Sequence, residues 1–312
     1  MLIRGNGAGV PTALQGRPSR GPTTAMRPWD WALPPQSADL EVISAVPDGW
    51  SAAPRSDRRP PLLFVHGVGA AAWIFAEHWL GAAVRRGYPA HALSLRGHGG
   101  SGSPGRWLAP SLRDYVDDVM QTVISLPQPP VLVGHGMGAV VVQRVLERYP
   151  ARAGVLVAPA PAFGAQQWLW SRVRASPRET ISSLVAGRLP MRPDLLFDGL
   201  DEESAAGYLD RMARESPVAL LQLGRGQRIG PVSSPVAVVG CRADAVIGRR
   251  EVLATADMYD VKPIWLPGAG HLVMLDGSHS VGLDIVLDWV DGVPVDPVQA
   301  RGAVRRPDPA RP

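Results

Sequence analysis

The chain has 312 residues, of which 46% are hydrophobic, so it can bury the core of one domain with or without a subdomain. Its formal net charge is only +4, and much of the excess arginine lies near the two ends, which argues against a focused basic face for nucleic acid. Cys241 is the only cysteine, which excludes an internal disulfide and a cysteine-based metal site.

Other sequence patterns bear on membranes and cofactors. No run of eighteen apolar residues occurs, and residues 1–22 lack the apolar stretch of a signal peptide, so we expect no membrane span and a cytoplasmic location. The glycines at 134, 136 and 138 do not fit the dinucleotide pattern G-x-G-x-x-G, and no Walker pattern occurs. We therefore expect no cofactor and no metal.

Changes in composition divide the chain into four predicted parts. Residues 1–35 are rich in Gly, Pro, Ser and Arg without a hydrophobic period, which predicts a disordered N-terminal segment. Residues 36–162 and 231–291 predict an α/β core. Residues 163–230 are helical and irregular, which predicts a cap over the strand ends or, alternatively, extra helices packed at the side. Residues 292–312 predict a loose tail.

Apolar runs alternate with helical patterns in the predicted core. Predicted strands cover 62–65, 88–95, 131–133, 154–157, 236–239 and 264–266, with a weaker edge strand in 38–46. Predicted helices cover 73–86, 111–126 with Ser111 as N-cap, 139–149, 251–258 and 281–290, and in the cap 181–186, 202–214 and 217–223. Uniformly apolar strands that alternate with helices indicate a parallel sheet covered on both faces.

The stretch 134–138, Gly-His-Gly-Met-Gly, follows a buried strand and precedes a helix. This is the layout of a nucleophile elbow, G-x-S-x-G, in which the middle residue carries the attacking hydroxyl. Here the middle residue is Gly136, so the elbow has no side chain to attack with. In parallel sheets, ligands bind beyond the carboxyl ends of the strands, which is where this turn lies.

Five pieces of sequence occur in an order that is typical of one family. They are His66-Gly67, Arg96-Gly-His-Gly-Gly-Ser101, Gly134-His-Gly-Met-Gly138, Asp244 and Gly270-His271. From about residue 60 to 291 the chain resembles an α/β-hydrolase. It is similar to the lysophospholipase-like branch, where the elbow reads G-H-S-M-G and continues into V-V-Q. The resemblance implies a mostly parallel sheet with helices on both faces and a helical cap insertion.

The resemblance also implies roles for individual residues. Asp244 would be the acid and His271 the base of a catalytic triad; a loop cap and a loop histidine are the structural alternatives. The backbone N–H groups of Val68 and Met137 would form the oxyanion hole, and Gly67 would let the backbone approach the substrate. In the cap, Trp168 and Trp170 would bind an apolar, acyl-like substrate, unless they belong to the core of the cap.

The glycine at the elbow leaves three hypotheses for function, because an acyl-enzyme needs a side-chain nucleophile. His271 and Asp244 could drive weak or non-covalent hydrolysis, or a proton transfer, on a small apolar, ester-like substrate. The protein could instead be an inactive homologue that binds a ligand or partner. A third hypothesis is a nucleophile elsewhere, for which Ser101 and Cys241 are poor candidates because neither lies on the elbow.

Overall fold

A seven-stranded sheet forms the centre of the protein. The computed structural model describes residues 38–52, 58–102, 109–164, 178 and 192–293. Its strands are β1 (Val42–Ala45), β2 (Leu62–Val65), β3 (Ala90–Leu93), β4 (Val131–His135), β5 (Ala153–Val157), β6 (Val236–Cys241) and β7 (Ile264–Leu266). Their spatial order is β1-β3-β2-β4-β5-β6-β7, with β1 antiparallel to β3 and all other neighbours parallel. The predicted mostly parallel sheet is confirmed.

Helices connect the strands in the described ranges. They are α1 (Trp73–Ala76), α2 (Trp79–Arg85), α3 (Leu112–Ser125), α4 (Met137–Leu146), α5 (Pro193–Leu196), α6 (Glu202–Asp210), α7 (Pro217–Arg225), α8 (Arg249–Asp257) and α9 (His279–Asp291). The prediction of one helix over 73–86 is wrong, because the backbone leaves the helical conformation at His78, whose φ is −132°. The predicted cap at Ser111 is confirmed: its hydroxyl accepts the Asp114 N–H in a capping box.

Successive residues of the buried strands pack on opposite faces of the sheet. On β2, the ring of Phe64 stacks on Phe75 with centroids 5.0 Å apart and lies 5.9 Å from Trp79. Its neighbour Val65 belongs to the second apolar cluster, with Val140 of α4. The sheet is thus covered by helices on both faces, which explains why its central strands are almost entirely apolar.

Residues 192–235, between β5 and β6, pack against both apolar clusters and against the loop that follows β2. Ala205 of α6 packs in the cluster on one face of the sheet, and Leu223 of α7 packs in the cluster on the other. Between these helices, the Ala213 N–H donates to the carbonyl of Gly69, which follows β2, at 2.6 Å. This hydrogen bond ties the segment between α6 and α7 to the loop at the carboxyl end of β2, and the cap stays a prediction.

Several predictions from the sequence concern residues that the structure does not describe. The predicted disordered segment 1–35, the helix over 181–186 and the tail from residue 294 onward lie outside the described residues. Among the helices that are described, none is both long enough and apolar enough to cross a membrane.

Candidate active site

The turn between β4 and α4 is built around Gly136. Its backbone has φ +54° and ψ −117°, a conformation that residues with a side chain rarely adopt. The Gly136 N–H donates to the carbonyl of Val157 at 3.1 Å, and the Gly136 carbonyl accepts from the N–H groups of Ala139 at 3.2 Å and Ala160 at 3.0 Å. These hydrogen bonds hold the turn in the sharp shape that the elbow pattern predicts.

The three glycines of the turn have different surroundings. A Cβ atom on Gly134 would lie 2.5 Å from the Gly138 carbonyl oxygen, and one on Gly138 would lie 2.3 Å from the carbonyl oxygen of Val65. Both positions therefore need glycine for the close approach of helix to strand. A Cβ atom on Gly136 would instead meet Nε2 of His271 at 3.6 Å and Cα of Gly67 at 3.7 Å, which is ordinary contact. A side chain at position 136 thus has room and would contact His271.

His271 and Asp244 form a hydrogen-bonded pair. The loop after β7 carries His271 and the loop after β6 carries Asp244; Nδ1 of the histidine lies 2.9 Å from Oδ2 of the aspartate, whose side chain is 1% exposed. The other oxygen, Oδ1, accepts the N–H groups of Val246 at 2.7 Å and Ile247 at 2.8 Å. Burial raises the pKa of Asp244, but His271 and these donors outweigh it and hold that pKa below its usual value.

The geometry of this pair sets the state of the imidazole. An ionised carboxylate can only accept hydrogen bonds, so His271 donates through Nδ1–H and its Nε2 is left with a free lone pair. This Nε2 lies 3.6 Å from the place of a Cβ on Gly136. The pair can therefore take a proton from a group beside the elbow, which is the arrangement of a general base held in one tautomer.

Two buried groups that the sequence analysis missed hold the His271 loop. His135 Nε2 lies 2.9 Å from the carbonyl oxygen of His271 and donates to it, because a carbonyl oxygen can only accept. Burial lowers the pKa of His135 to about 3. Asp276 accepts the Gly270 N–H at 2.8 Å. Only their positions in the sequence mark them: His135 precedes the elbow glycine, and Asp276 lies five residues after His271.

Two backbone donors lie on either side of the elbow. Met137 begins α4, where the helix dipole favours negative charge, and Val68 lies in the loop after β2. Within the described part of the chain, neither the Val68 N–H nor the Met137 N–H has a hydrogen-bond acceptor. Gly67 brings its loop against the elbow: a Cβ there would lie 3.0 Å from Nδ1 of His135, so a side chain would force the loop outward. Two unpaired backbone donors beside the His271 pair suit a developing oxyanion.

Comparisons with known proteins agree with this architecture. The sequence profile described as "Alpha/beta hydrolase family" matches residues 62–281. The chain belongs to the alpha/beta hydrolase family. It is 27% identical over 273 residues to a monoacylglycerol lipase of Mycolicibacterium smegmatis, an alignment that covers 81% of this chain and 95% of the relative.

Solved structures share the fold of this alpha/beta hydrolase. An esterase from Exiguobacterium antarcticum matches with a TM-score of 0.62 at 13% identity, covering 81% of this chain and 96% of the esterase. A monoacylglycerol lipase of Paleococcus ferrophilus matches with a TM-score of 0.60 at 18% identity, covering 82% of this chain and 99% of the lipase. At these identities the likeness concerns the fold.

The remaining candidates for chemistry in this alpha/beta hydrolase have structural partners. Ser101 Oγ donates to the Ser94 carbonyl at 2.5 Å and accepts from the Glu41 N–H, so it ties a loop to the edge of the sheet. Cys241 is buried, and burial raises the pKa of its thiol, which opposes a thiolate nucleophile. Among the described residues, no group of three or more His, Cys, Asp or Glu could hold a metal ion.

The substrate contacts predicted in the cap stay predictions. Trp168 and Trp170 lie outside the described residues. Leu196 and Phe197, two other apolar residues of the predicted cap, are 6% and 9% exposed and pack in the apolar cluster with Leu272. These two therefore belong to the core that supports the His271 loop, and the Leu196 carbonyl accepts the Leu272 N–H at 2.9 Å.

Proposed function

We propose that this alpha/beta hydrolase hydrolyses a small, apolar ester without forming an acyl-enzyme, with His271 and Asp244 as a general-base pair. The observation that carries the proposal is the direction of His271. Its Nε2 lies 3.6 Å from the place of a Cβ on Gly136, so the proposed base faces a position that carries no side chain. A water molecule bound there would be within reach of the base.

The proposed reaction has one addition step and one collapse step. Water at the elbow attacks the ester carbonyl carbon while Nε2 of His271 accepts its proton, and Asp244 stabilises the imidazolium through Nδ1–H. The carbonyl oxygen becomes an oxyanion that accepts from the N–H groups of Val68 and Met137. The tetrahedral adduct then expels the alcohol, which takes the proton from Nε2.

The expected turnover is slow, because water is less well placed than a hydroxyl on the chain. Loss of a triad serine costs on the order of 10⁶ in kcat in a well-studied protease. Oxyanion stabilisation and substrate binding still provide about 10³–10⁴-fold acceleration over water. We therefore expect the native protein to accelerate ester hydrolysis by about 10³–10⁴-fold over water.

The substrate class rests on the relatives and on the chemistry of the site. A curated relative and one matching structure are monoacylglycerol lipases, and another match is an esterase. An uncharged ester suits the site, because Val68 and Met137 offer backbone donors for a carbonyl oxygen. We therefore propose an acyl ester with an apolar chain as the substrate, with Trp168 and Trp170 as candidates to contact it.

A second candidate function is binding without turnover. It is favoured by the backbone at Gly136, whose φ of +54° would strain any other residue by about 1–3 kcal/mol. Glycine removes this strain, so the turn is at least as stable without a nucleophile. In this alternative the protein holds an apolar ligand or partner beside His271 and releases it unchanged.

One experiment separates the two functions. Hydrolysis of short-chain and long-chain acyl esters is measured for the native protein, for Gly136→Ser and for His271→Ala. Turnover by the native protein that is lost in His271→Ala supports the water mechanism. Activity in Gly136→Ser alone supports the binding function on an otherwise intact site. Native turnover that survives His271→Ala rejects the proposed base.

A further inference from the structure

A buried carboxylate lies behind the loop that follows β2. Glu215 belongs to the segment between α6 and α7, and its side chain is fully buried. A carboxylate is costly to bury unless hydrogen bonds and an opposite charge compensate it. The partners of Glu215 therefore indicate why it is there.

The side chain of Glu215 and the backbone of Ala213 together hydrogen-bond both polar backbone groups of Gly69. The Gly69 N–H donates to Oε2 of Glu215 at 3.2 Å, and the Gly69 carbonyl accepts from the Ala213 N–H at 2.6 Å. Gly69 directly follows Val68, whose N–H is one of the two free donors beside the elbow. The segment between α6 and α7 thus fixes the backbone one residue away from that donor.

The other contacts of Glu215 fix the carboxylate itself. Its Oε1 accepts from the Tyr115 hydroxyl at 2.6 Å and from the Ser216 N–H at 2.8 Å. Nε2 of His98 lies 3.3 Å from Oε2, in an ion pair that lacks the alignment of a good hydrogen bond. Burial lowers the pKa of His98, but Glu215 outweighs it, so that this pKa is raised overall. In its protonated form, the His98 ring offsets the negative charge of Glu215, which would otherwise oppose an oxyanion nearby.

We propose that Glu215 is a positioning residue that holds the Gly69 peptide, and through it the Val68 N–H, in the orientation that an oxyanion requires. The proposal rests on the proposed function, because it needs Val68 as an oxyanion donor. It assigns a catalytic consequence to a side chain from the cap that does not touch the substrate. Such a link makes the oxyanion hole depend on how the segment between α6 and α7 is docked.

The variants that test this proposal are Glu215→Ala, Glu215→Gln and the control Glu147→Ala. Glu147 is also a carboxylate that accepts a backbone N–H. The donor is Gly230, which lies between α7 and β6. Glu215→Gln keeps an oxygen that can face Gly69 but removes the charge. Each change is made in the native protein and in Gly136→Ser, the variant expected to turn over most rapidly.

Two measurements are made on these proteins. Amide hydrogen exchange at Gly69, followed by NMR in the native background, reports the loop directly. Ester kinetics in Gly136→Ser report the oxyanion hole, where removing a whole donor costs about 10²–10³ in kcat. For Glu215→Ala we expect faster exchange at Gly69 and a fall in kcat of about 10-fold or more with KM within about twofold. Glu215→Gln should restore part of the slow exchange at Gly69 and part of kcat. Glu147→Ala should change the exchange rate and kcat by no more than about twofold.

Each outcome decides one question. Unchanged exchange at Gly69 in Glu215→Ala overturns the proposal, whatever the kinetics. Faster exchange with unchanged kcat, or an equal loss in Glu147→Ala, reduces Glu215 to a structural residue and also overturns it. A Gly136→Ser protein that is folded but inert rejects the proposed hydrolytic site by itself, and with it the catalytic role of Glu215; exchange at Gly69 then reports only whether Glu215 holds the loop.

Discussion

Nε2 of His271 lies 3.6 Å from the position that a Cβ atom on Gly136 would occupy, nearer than any other described atom outside Gly136 and its two chain neighbours. The residue that His271 faces therefore has no side chain. This relationship makes the elbow the most informative place to change the protein.

Gly136→Ser should create a faster esterase that is less stable than the native protein. The new hydroxyl would lie beside Nε2 of His271, so ester turnover should rise by at least about 100-fold over the native rate. The backbone conformation should cost about 1–3 kcal/mol of unfolding free energy, which corresponds to a fall in Tm of about 2–4 °C per kcal/mol. Ester kinetics and thermal unfolding measure the two effects.

Gly136→Ala is the matched control for that substitution. It adds the same Cβ atom in the same strained conformation but brings no hydroxyl. It should lose as much stability as Gly136→Ser and gain no activity. A comparable gain in turnover by the alanine variant would show that the added hydroxyl is not the nucleophile.

Substitution of the flanking glycines should damage the fold more than substitution of Gly136. An alanine Cβ at Gly134 or Gly138 would lie within 2.5 Å of a backbone carbonyl oxygen, and the backbone cannot yield as a side chain can. We expect Gly134→Ala and Gly138→Ala each to cost about 3 kcal/mol or more, near the upper end of overpacking effects. Urea unfolding beside Gly136→Ala measures the difference, and equal losses at all three positions would contradict the observed packing.

Asp244 should stabilise the fold through its ionised form. Its pKa is lower in the folded protein than in the unfolded chain, so its contribution is present above about pH 4 and is lost as pH falls through the folded-state value. Asp244→Asn should therefore cost about 1–3 kcal/mol at pH 7. The gap between native and variant should narrow as the pH falls below about 4.

Urea unfolding of both proteins at pH 7, 4 and 3 tests this pH dependence. Asp257→Asn, at an exposed aspartate of α8, is the control and should leave stability nearly unchanged at each pH. A gap between native and Asp244→Asn that stays constant down to pH 3 would contradict the linkage.

Two buried histidines beside the site should remain neutral in mildly acid solution. Burial lowers the pKa of both His66 and His135 from 6.5 to about 3. The unfolded chain then binds more protons than the folded protein between about pH 6.5 and 3, so each ring favours unfolding by up to about 1.4 kcal/mol per pH unit in that range. NMR titration of the ring signals should find both rings neutral at pH 5, and a protonated ring there would refute the assignment.

Much of the architecture could be predicted from local patterns. Uniformly apolar runs predict the buried parallel strands, because such strands contact helices on both faces. Glycines at 134, 136 and 138 between an apolar run and a helical pattern predict a sharp turn between a strand and a helix, although the contact of Gly138 with the Val65 carbonyl is seen only in the fold. Family resemblance adds Asp244 and His271, and the structure brings these two together at 2.9 Å.

Other features depend on contacts between residues that are far apart in the sequence. The break of the predicted helix at His78 has no glycine or proline to signal it, and the ring of His78 stacks on that of His279 from α9, with centroids 4.0 Å apart. The role of Glu215 could not be predicted from the sequence either. Its carboxylate oxygens accept hydrogen bonds from Gly69 and Tyr115, which lie 146 and 100 residues away along the chain.

The sequence by itself therefore determined the sheet, the elbow and the absence of a side chain at Gly136, because these depend on residue size, hydrophobicity and short-range backbone geometry. Only the tertiary structure decided which buried polar groups hold the site. A buried histidine or carboxylate is satisfied by whatever donor or acceptor the fold brings near it. For His135 that partner is the backbone carbonyl of His271, and for Glu215 the partners include the backbone N–H groups of Gly69 and Ser216. Every residue carries the same backbone groups, so no sequence pattern marks them in advance.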